Sequence, residues 1–329
     1  MLKRRHFNIS AVGPSILWAR PLAGRGVPVG AGGRQNPGMT YSIVARDPET
    51  GELGVAVQSC YYQVGPVVPW GQAGVGVVAT QSMVNVAFGP AGVELMRLGS
   101  SAGQALDAVL AGDPLRDARQ CAMVDATGAV AAHTGPRCIA EAGHRTGDGY
   151  SVQANLMERD TVWGAMAAAF EAAGGPLAER MLAALDAAEA EGGDIRGRQS
   201  AAMVVLSGSP TGRVWEDRLI DLRVEDHADP LAELRRLLRY RRAYQAAAAG
   251  GAAAHRRALE LAPEIVQLRV FAAQALAQEG EWDEALALLR SALAVEPRWE
   301  QALPRLVPAG RLTPEALAEL QSRLRAPAS

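Results

Sequence analysis

Thr40-Tyr-Ser-Ile-Val-Ala-Arg-Asp-Pro-Glu-Thr-Gly-Glu-Leu-Gly-Val-Ala-Val-Gln-Ser59 reads as strand, turn, strand. Tyr41 to Ala45 is a β-rich run. In Asp47-Pro48-Glu49-Thr50-Gly51, Pro48 presets φ and Gly51 accepts a positive φ, so the chain reverses there. Leu53 to Val57 returns, which predicts a hairpin. Downstream, Ala73 to Thr80 reads as a third strand, small and apolar enough to be buried on both faces. Its Gly74-x-Gly76-x-x-Ala79 string lies inside the strand, whereas a dinucleotide site needs it at a strand-to-helix turn.

Helical spacing follows over Pro90–Leu98 and Ser101–Ala111, with Ser100 or Ser101 as a cap. Cys121–Val124 and Ala129–His133 flank the turn Asp125-Ala-Thr-Gly128, a second hairpin. Tyr150–Leu156 alternates like a strand, Thr161–Ala173 and Pro176–Ala190 read as helices, and Ser200–Leu206 and Arg218–Val224 as strands. Strands come early, helices in the middle, and strands return. The order implies an α+β fold of mostly antiparallel sheets covered by helices.

Composition narrows the function classes. The 329 residues are 49% hydrophobic and 21% charged, as in a globular chain of one to three domains. No run of about 18 apolar residues is free of charges and helix breakers, so no membrane span is expected. A net charge of −2 argues against nucleic acid as a partner. Lys3 is the one lysine among 33 Lys and Arg, which removes P-loop and Schiff-base chemistry. Cys60, Cys121 and Cys138 form no CxxC, and the five histidines form no His-x3-His pair. No metal or other cofactor is expected, and the thiols read as reduced and buried.

Residues 1–39 differ from the rest. They read as a disordered tail, or as the product of a start assigned too early with translation beginning at Met39. Arg4-Arg5-His6-Phe7 gives a twin-arginine export signal as the alternative, although Pro14 and Arg20 interrupt its apolar region. A cytoplasmic location is therefore expected. Residues 40–228 form the main domain and 229–329 a helical module. In that module Leu259-Glu-Leu-Ala-Pro263 recurs as Leu293-Ala-Val-Glu-Pro297, 34 residues on, with Gly280-Glu-Trp282 and small residues between. This resembles a tetratricopeptide repeat, and it implies a small all-α module able to hold a protein partner.

Met39-Thr40 at the head of the hairpin is the richest chemical feature. Were Thr40 the N-terminus, one residue would hold a hydroxyl nucleophile and an α-amine. With a reference pKa of about 7.7–8, that amine is partly neutral at pH 7 and serves as general base. The stretch Thr40–Ser59 resembles the start of the DUF1028 proteins. So do Ala73–Gln81, Gly143–Asn155, Gly193–Ser200 and Asp221–His227 in their places. The resemblance runs from Thr40 to about Arg239. It implies membership of the N-terminal-nucleophile (Ntn) hydrolase superfamily, an αββα sandwich, amide-bond hydrolysis and a homodimer; it implies no particular substrate.

Thr40 is the candidate nucleophile, Ser59 at the end of the second strand a group to orient its hydroxyl, and Asn155 an oxyanion donor. Ser42 shares the strand face of Thr40. Gln81, Arg145, Asp148, Gln153 and Arg198 are candidate substrate contacts. The arginines point to a small acidic substrate, bound bidentately. The structural alternatives are an Arg145–Asp148 pair and an Arg198 pair with Asp221 or Asp226. Asp226-His227 reads as a closing turn, since no Gly-x-Ser-x-Gly elbow accompanies it. The rival reading of the whole chain is a non-catalytic ligand-binding or scaffold protein.

Overall fold

The computed structural model describes residues 40–325; the start-site and export readings fall on residues outside them. β1 (Thr40–Arg46), β2 (Leu53–Ser59), β3 (Pro69–Gln72) and β4 (Gly76–Ser82) are followed by α1 (Phe88–Arg97) and α2 (Ala102–Ala111). β5 (Arg119–Asp125), β6 (Val130–Thr134), β7 (Gly143–Gly147) and β8 (Tyr150–Asn155) lead into α3 (Val162–Ala172) and α4 (Leu177–Ala190). β9 (Ser200–Leu206), the one-turn α5 (Val214–Asp217) and β10 (Arg218–Val224) complete the strands. A helical region then runs through α6 (Pro230–Ala247), α7 (Gly251–Leu261), α8 (Val266–Gln278), α9 (Trp282–Val295), α10 (Trp299–Ala302) and α11 (Pro314–Arg325).

The strands form a six-stranded sheet, β10-β9-β2-β1-β8-β7, and a four-stranded sheet, β3-β4-β5-β6; the strand pairs are antiparallel. The sheets face each other, with β1 against β4 and β5 against β8. α3 and α4 cover the outside of the larger sheet, α1 and α2 that of the smaller. Burial on both faces explains the near-continuous apolar runs. In β1, Ile43 packs with Met166, Phe170 and Leu185 of the helices, while Val44 packs with Val55, Val77 and Val124 between the sheets. Gly54 of β2 is small for a reason: a Cβ there would sit 2.6 Å from Met181 Cε of α4.

The opening hairpin closes as its residues dictate. Asp47 Oδ1 accepts the N–H groups of Glu49 and Thr50 at 2.9 and 2.8 Å, and Gly51 takes φ +73°. Ser101 caps α2 in a reciprocal box with Gln104. The structure departs from the sequence reading at three elements. Ala73 to Val75 belong to a turn, with Gly74 at φ +69° and Val75 N–H bonded to Gln72 O, and the preceding Pro69–Gln72 forms a strand. The first helix begins at Phe88, putting Pro90 in its first turn, where its missing N–H costs nothing. Gly143–Gly147, to which the sequence assigns no element, is the edge strand β7, open to solvent and so without an apolar pattern.

α6 begins beyond the expected 228/229 boundary, capped by Asp229, which accepts from Ala232 N–H at 3.1 Å. Its Leu231, Leu234 and Leu238 lie in the same core as α3 and α4. The remaining helices bury their own cluster, with Ala273, Ala277, Ala285 and Ala292 where α8 and α9 meet. Gly280, at φ +84°, reverses the chain ahead of Trp282.

Candidate functional site

Strand pairing sets one polar row across four strands. Thr40 of β1 lies opposite Asn155 of β8 on one side and Ser59 of β2 on the other, and Ser59 lies opposite Ser200 of β9. Directly paired residues share a face, so all four side chains point toward the second sheet. Two residues along, Ser42, Gln153 and His144 form the next such row. The smaller sheet answers with Gln81, Gln120 and Thr134, again directly paired.

The two rows meet in a buried hydrogen-bond network. Thr40 Oγ1 donates to Ser59 Oγ at 3.1 Å. The Thr40 carbonyl accepts from Gln81 Nε2 at 3.2 Å and from Asn155 Nδ2 at 3.3 Å. Both amides also donate to Gln120 Oε1, at 2.7 and 2.8 Å. Gln120 Nε2 in turn reaches Thr134 Oγ1, Gly143 O and Ala154 O at 2.9, 3.1 and 2.8 Å. Ser42 bridges Gln81 Oε1 and Gln153 Nε2, each at 2.6 Å. Thr40, Ser42, Ser59, Gln81, Gln120, Gln153 and Asn155 are each at most 1% exposed. An uncharged network of this kind is stable because nearly every member is satisfied; the exception is Asn155 Oδ1, an acceptor with no partner.

Backbone strain collects at the same end. Among the described residues the non-glycine positive φ values are at Gln63 (+57°), Ser82 (+66°) and Leu156 (+54°). Ser82 directly follows Gln81, Leu156 directly follows Asn155, and Gln63 lies in the loop after Ser59. Such conformations cost about 1–3 kcal/mol each and persist where the surroundings over-determine them, which is typical of functional sites.

Thr134 Oγ1 accepts from Gln120 Nε2 and shares a 2.8 Å hydrogen bond with His144 Nδ1. Burial holds the imidazole below the ordinary histidine pKa, and the charge of His133 adds to it. A depressed folded pKa adds stability that is present above about pH 6.5 and lost as pH falls through the folded value. Thermal melts at pH 7.5 and 5.5 should therefore show a loss in the wild type that His144→Gln reduces; an equal loss in both would show His144 uninvolved.

Gln81, Gln153, Ser59 and Asn155 are thus brought to Thr40. Arg145, Asp148 and Arg198 are not. Arg145 lies opposite Val152, in the row of Ile43, so it faces the helical layer and pairs with Glu171 at 3.8 Å. Asp148 sits in the β7–β8 turn, at the far end of β1. Arg198 pairs with Glu189 of α4 at 3.5 Å and with Asp229 at 3.6 Å, and Asp221 instead pairs with Arg218 and Arg223. His227 turns back on Asp229 as part of the closing turn. Gln120, the hub, was not singled out in the sequence. The one signal for it is a polar residue near the start of a strand, paired with Gln81. No described helix is long and apolar enough to cross a membrane.

Fold and site together define an α+β protein of two facing antiparallel sheets with a neutral amide–hydroxyl cluster around the first residue of its central strand. Residues 40–234 match the family described as a family of unknown function, DUF1028. A crystal structure of a Silicibacter pomeroyi protein from that family is 33% identical, with a TM-score of 0.55 over 64% of this chain and 90% of that one. The chain belongs to the DUF1028 family. The Anbu (ancestral beta-subunit) structure from Yersinia bercovieri is 13% identical, with a TM-score of 0.31, 60% of this chain and 92% of that one being covered. No curated protein matches.

Proposed function

We propose that the chain is an N-terminal-nucleophile amidohydrolase that acts once Thr40 has a free α-amine. The observation that carries this reading is the setting of Thr40. It is the first residue of a central strand, its hydroxyl donates to Ser59, its carbonyl is gripped by two carboxamides, and strained residues follow both of them. The order helix, sheet, sheet, helix agrees with the αββα sandwich of that superfamily.

In the proposed reaction the Thr40 amine, through a water, takes the proton from Oγ1. The alkoxide adds to an amide carbonyl, and the tetrahedral intermediate collapses as the C–N bond breaks and the leaving amine takes that proton. Water, activated by the same amine, then hydrolyses the ester on Thr40. Ser59 orients the hydroxyl. Asn155 is the oxyanion donor: its longer contact, 3.3 Å to the Thr40 carbonyl, is the one to be exchanged for the substrate oxygen. Gln81 and Gln153 border the same cluster.

The helical region is read as a tetratricopeptide-like module for a protein partner. α7 and α9 end 34 residues apart, at Leu261 and Val295. A groove of about 570 Å³ lies between α6, α7, α8 and the segment before α11, lined by Tyr244, His255, Phe271 and Arg311 among others.

The test is the N-terminus. Intact mass and N-terminal sequencing of protein from its native host should find chains that begin at Thr40. Chains that all retain Thr40 in a peptide bond would remove the proposed base and leave the scaffold reading in place.

A further inference from the structure

We infer that the substrate of this site is an uncharged amide with an apolar acyl group. The inference rests on the hydrolase reading above and concerns what that site selects. It departs from the acidic substrate that the arginine content suggests.

The side chains that hydrogen-bond Thr40 are neutral: Ser59, Gln81 and Asn155. The ring behind them, Ser42, Gln120 and Gln153, is neutral too. A carboxylate here would lose its hydration and find no cation among these six side chains. The guanidiniums of Arg145 and Arg198 face the helical layer, each already beside a carboxylate.

The rim gives the same result. The loops at the Thr40 end of the sheets span residues 60–68, 83–87, 112–118, 135–142, 156–161, 191–199 and 225–229. The first two carry no charged residue, and the other five together carry ten carboxylates and five guanidiniums. Several of those guanidiniums are already engaged: Arg196 binds Asp194 at 2.8 Å, and Arg116 and Arg159 each lie 3.9 Å from a neighbouring carboxylate. An anion approaching this end therefore meets no net positive field.

Apolar groups are exposed there instead. Tyr62 (55%), Val86 (38%), Ile139 (39%) and Ile195 (60%) all lie on these loops. Two of them are linked through the residue after Asn155: Leu156 N–H donates to Ile139 O at 2.9 Å, and Ile195 N–H donates to Leu156 O at 3.3 Å. Ile139, Leu156 and Ile195 are thus neighbours along the backbone immediately beyond the candidate oxyanion donor, with Ile139 and Ile195 exposed where an acyl chain would extend. Scattered surface apolar residues are ordinary, but here four exposed ones gather on the loops at one end of the sheets, beside the candidate site.

The experiment compares acylation of the purified protein beginning at Thr40, its N-terminus verified by mass, by 4-nitrophenyl acetate, hexanoate and hemisuccinate, with Thr40→Ala as control. In each case the ester C–O bond breaks, nitrophenolate leaves, and the acyl group passes to Thr40 Oγ1. Hexanoate should acylate Thr40 about tenfold or more faster than hemisuccinate, since a few buried methylenes are worth that much. Ile195→Asp should slow the hexanoate reaction several-fold more than it slows the acetate reaction. Thr40-dependent acylation in which hemisuccinate matches or exceeds hexanoate overturns the inference while the hydrolase reading stands. No Thr40-dependent acylation by any of the esters overturns both.

Discussion

Thr40→Ala should lower acylation by activated esters by about 10³-fold or more, because deleting a nucleophile removes every step that follows its attack. The fold should survive. The substitution deletes one hydroxyl, whose bond to Ser59 is worth about 0.5–1.5 kcal/mol, and one methyl group worth about 1 kcal/mol. The other strand pairings of β1 are untouched, so the melting temperature should fall by only a few degrees. Thr40→Ser keeps the hydroxyl and should keep most of the rate. The pH profile separates the proposed base from others. An α-amine must be neutral to accept the proton, so the rate should climb as pH rises through about 7.7–8 and then level off. A Thr40→Ala variant that is acylated at the wild-type rate would sink the assignment.

The local parts of this structure were legible in the sequence. The Asp47–Gly51 turn is decided by five adjacent residues, and it places Thr40 opposite Ser59 with nothing further assumed. Period-two alternation put Ser42 on the Thr40 face, and it put Gln153 and Asn155 together. The misplaced residues depend on pairings distant in the chain. Guanidinium chemistry sends Arg145 to a carboxylate, but only the β1–β8 register, across more than a hundred residues, shows that Arg145 shares the row of Ile43. Gln120 is the same case in reverse. In Arg119-Gln-Cys-Ala-Met-Val-Asp125 it fits no motif, and its importance comes from amides on two other strands that converge on it in space. β7 was hidden because an exposed edge strand of Gly, His, Arg, Thr and Gly carries no hydrophobic alternation.

Gln120→Leu should be the most destabilising single change in the candidate site. The leucine fills nearly the same volume, so packing is conserved and the loss is polar. It leaves Gln81 Nε2 and Asn155 Nδ2 each without their shorter acceptor, and it removes the donor that faces Thr134 Oγ1, Gly143 O and Ala154 O. With about 1–3 kcal/mol for each buried group left unpaired, partly offset by the contacts Gln81 and Asn155 keep to Thr40, the net loss should be about 3 kcal/mol. At about 2–4 °C per kcal/mol for a domain of this size, the melting temperature should fall by about 6–12 °C. Acylation of Thr40 should slow as well, because the two amides that fix its carbonyl are then held only by their longer bonds. Gln120→Glu separates hydrogen bonding from volume. Its carboxylate still accepts from both amides but places a charge against two carbonyl oxygens. Burial therefore raises its folded pKa above the unfolded value of about 4.3. A raised carboxyl pKa gives stability that is fully present below about pH 4.3 and is lost as pH rises through the folded value. The Glu variant should thus lie nearest the wild type in acid and fall progressively behind toward neutral pH. A Gln120→Leu protein that melts with the wild type, or a Gln120→Glu deficit that does not change with pH, would show that the network contributes neither stability nor positioning.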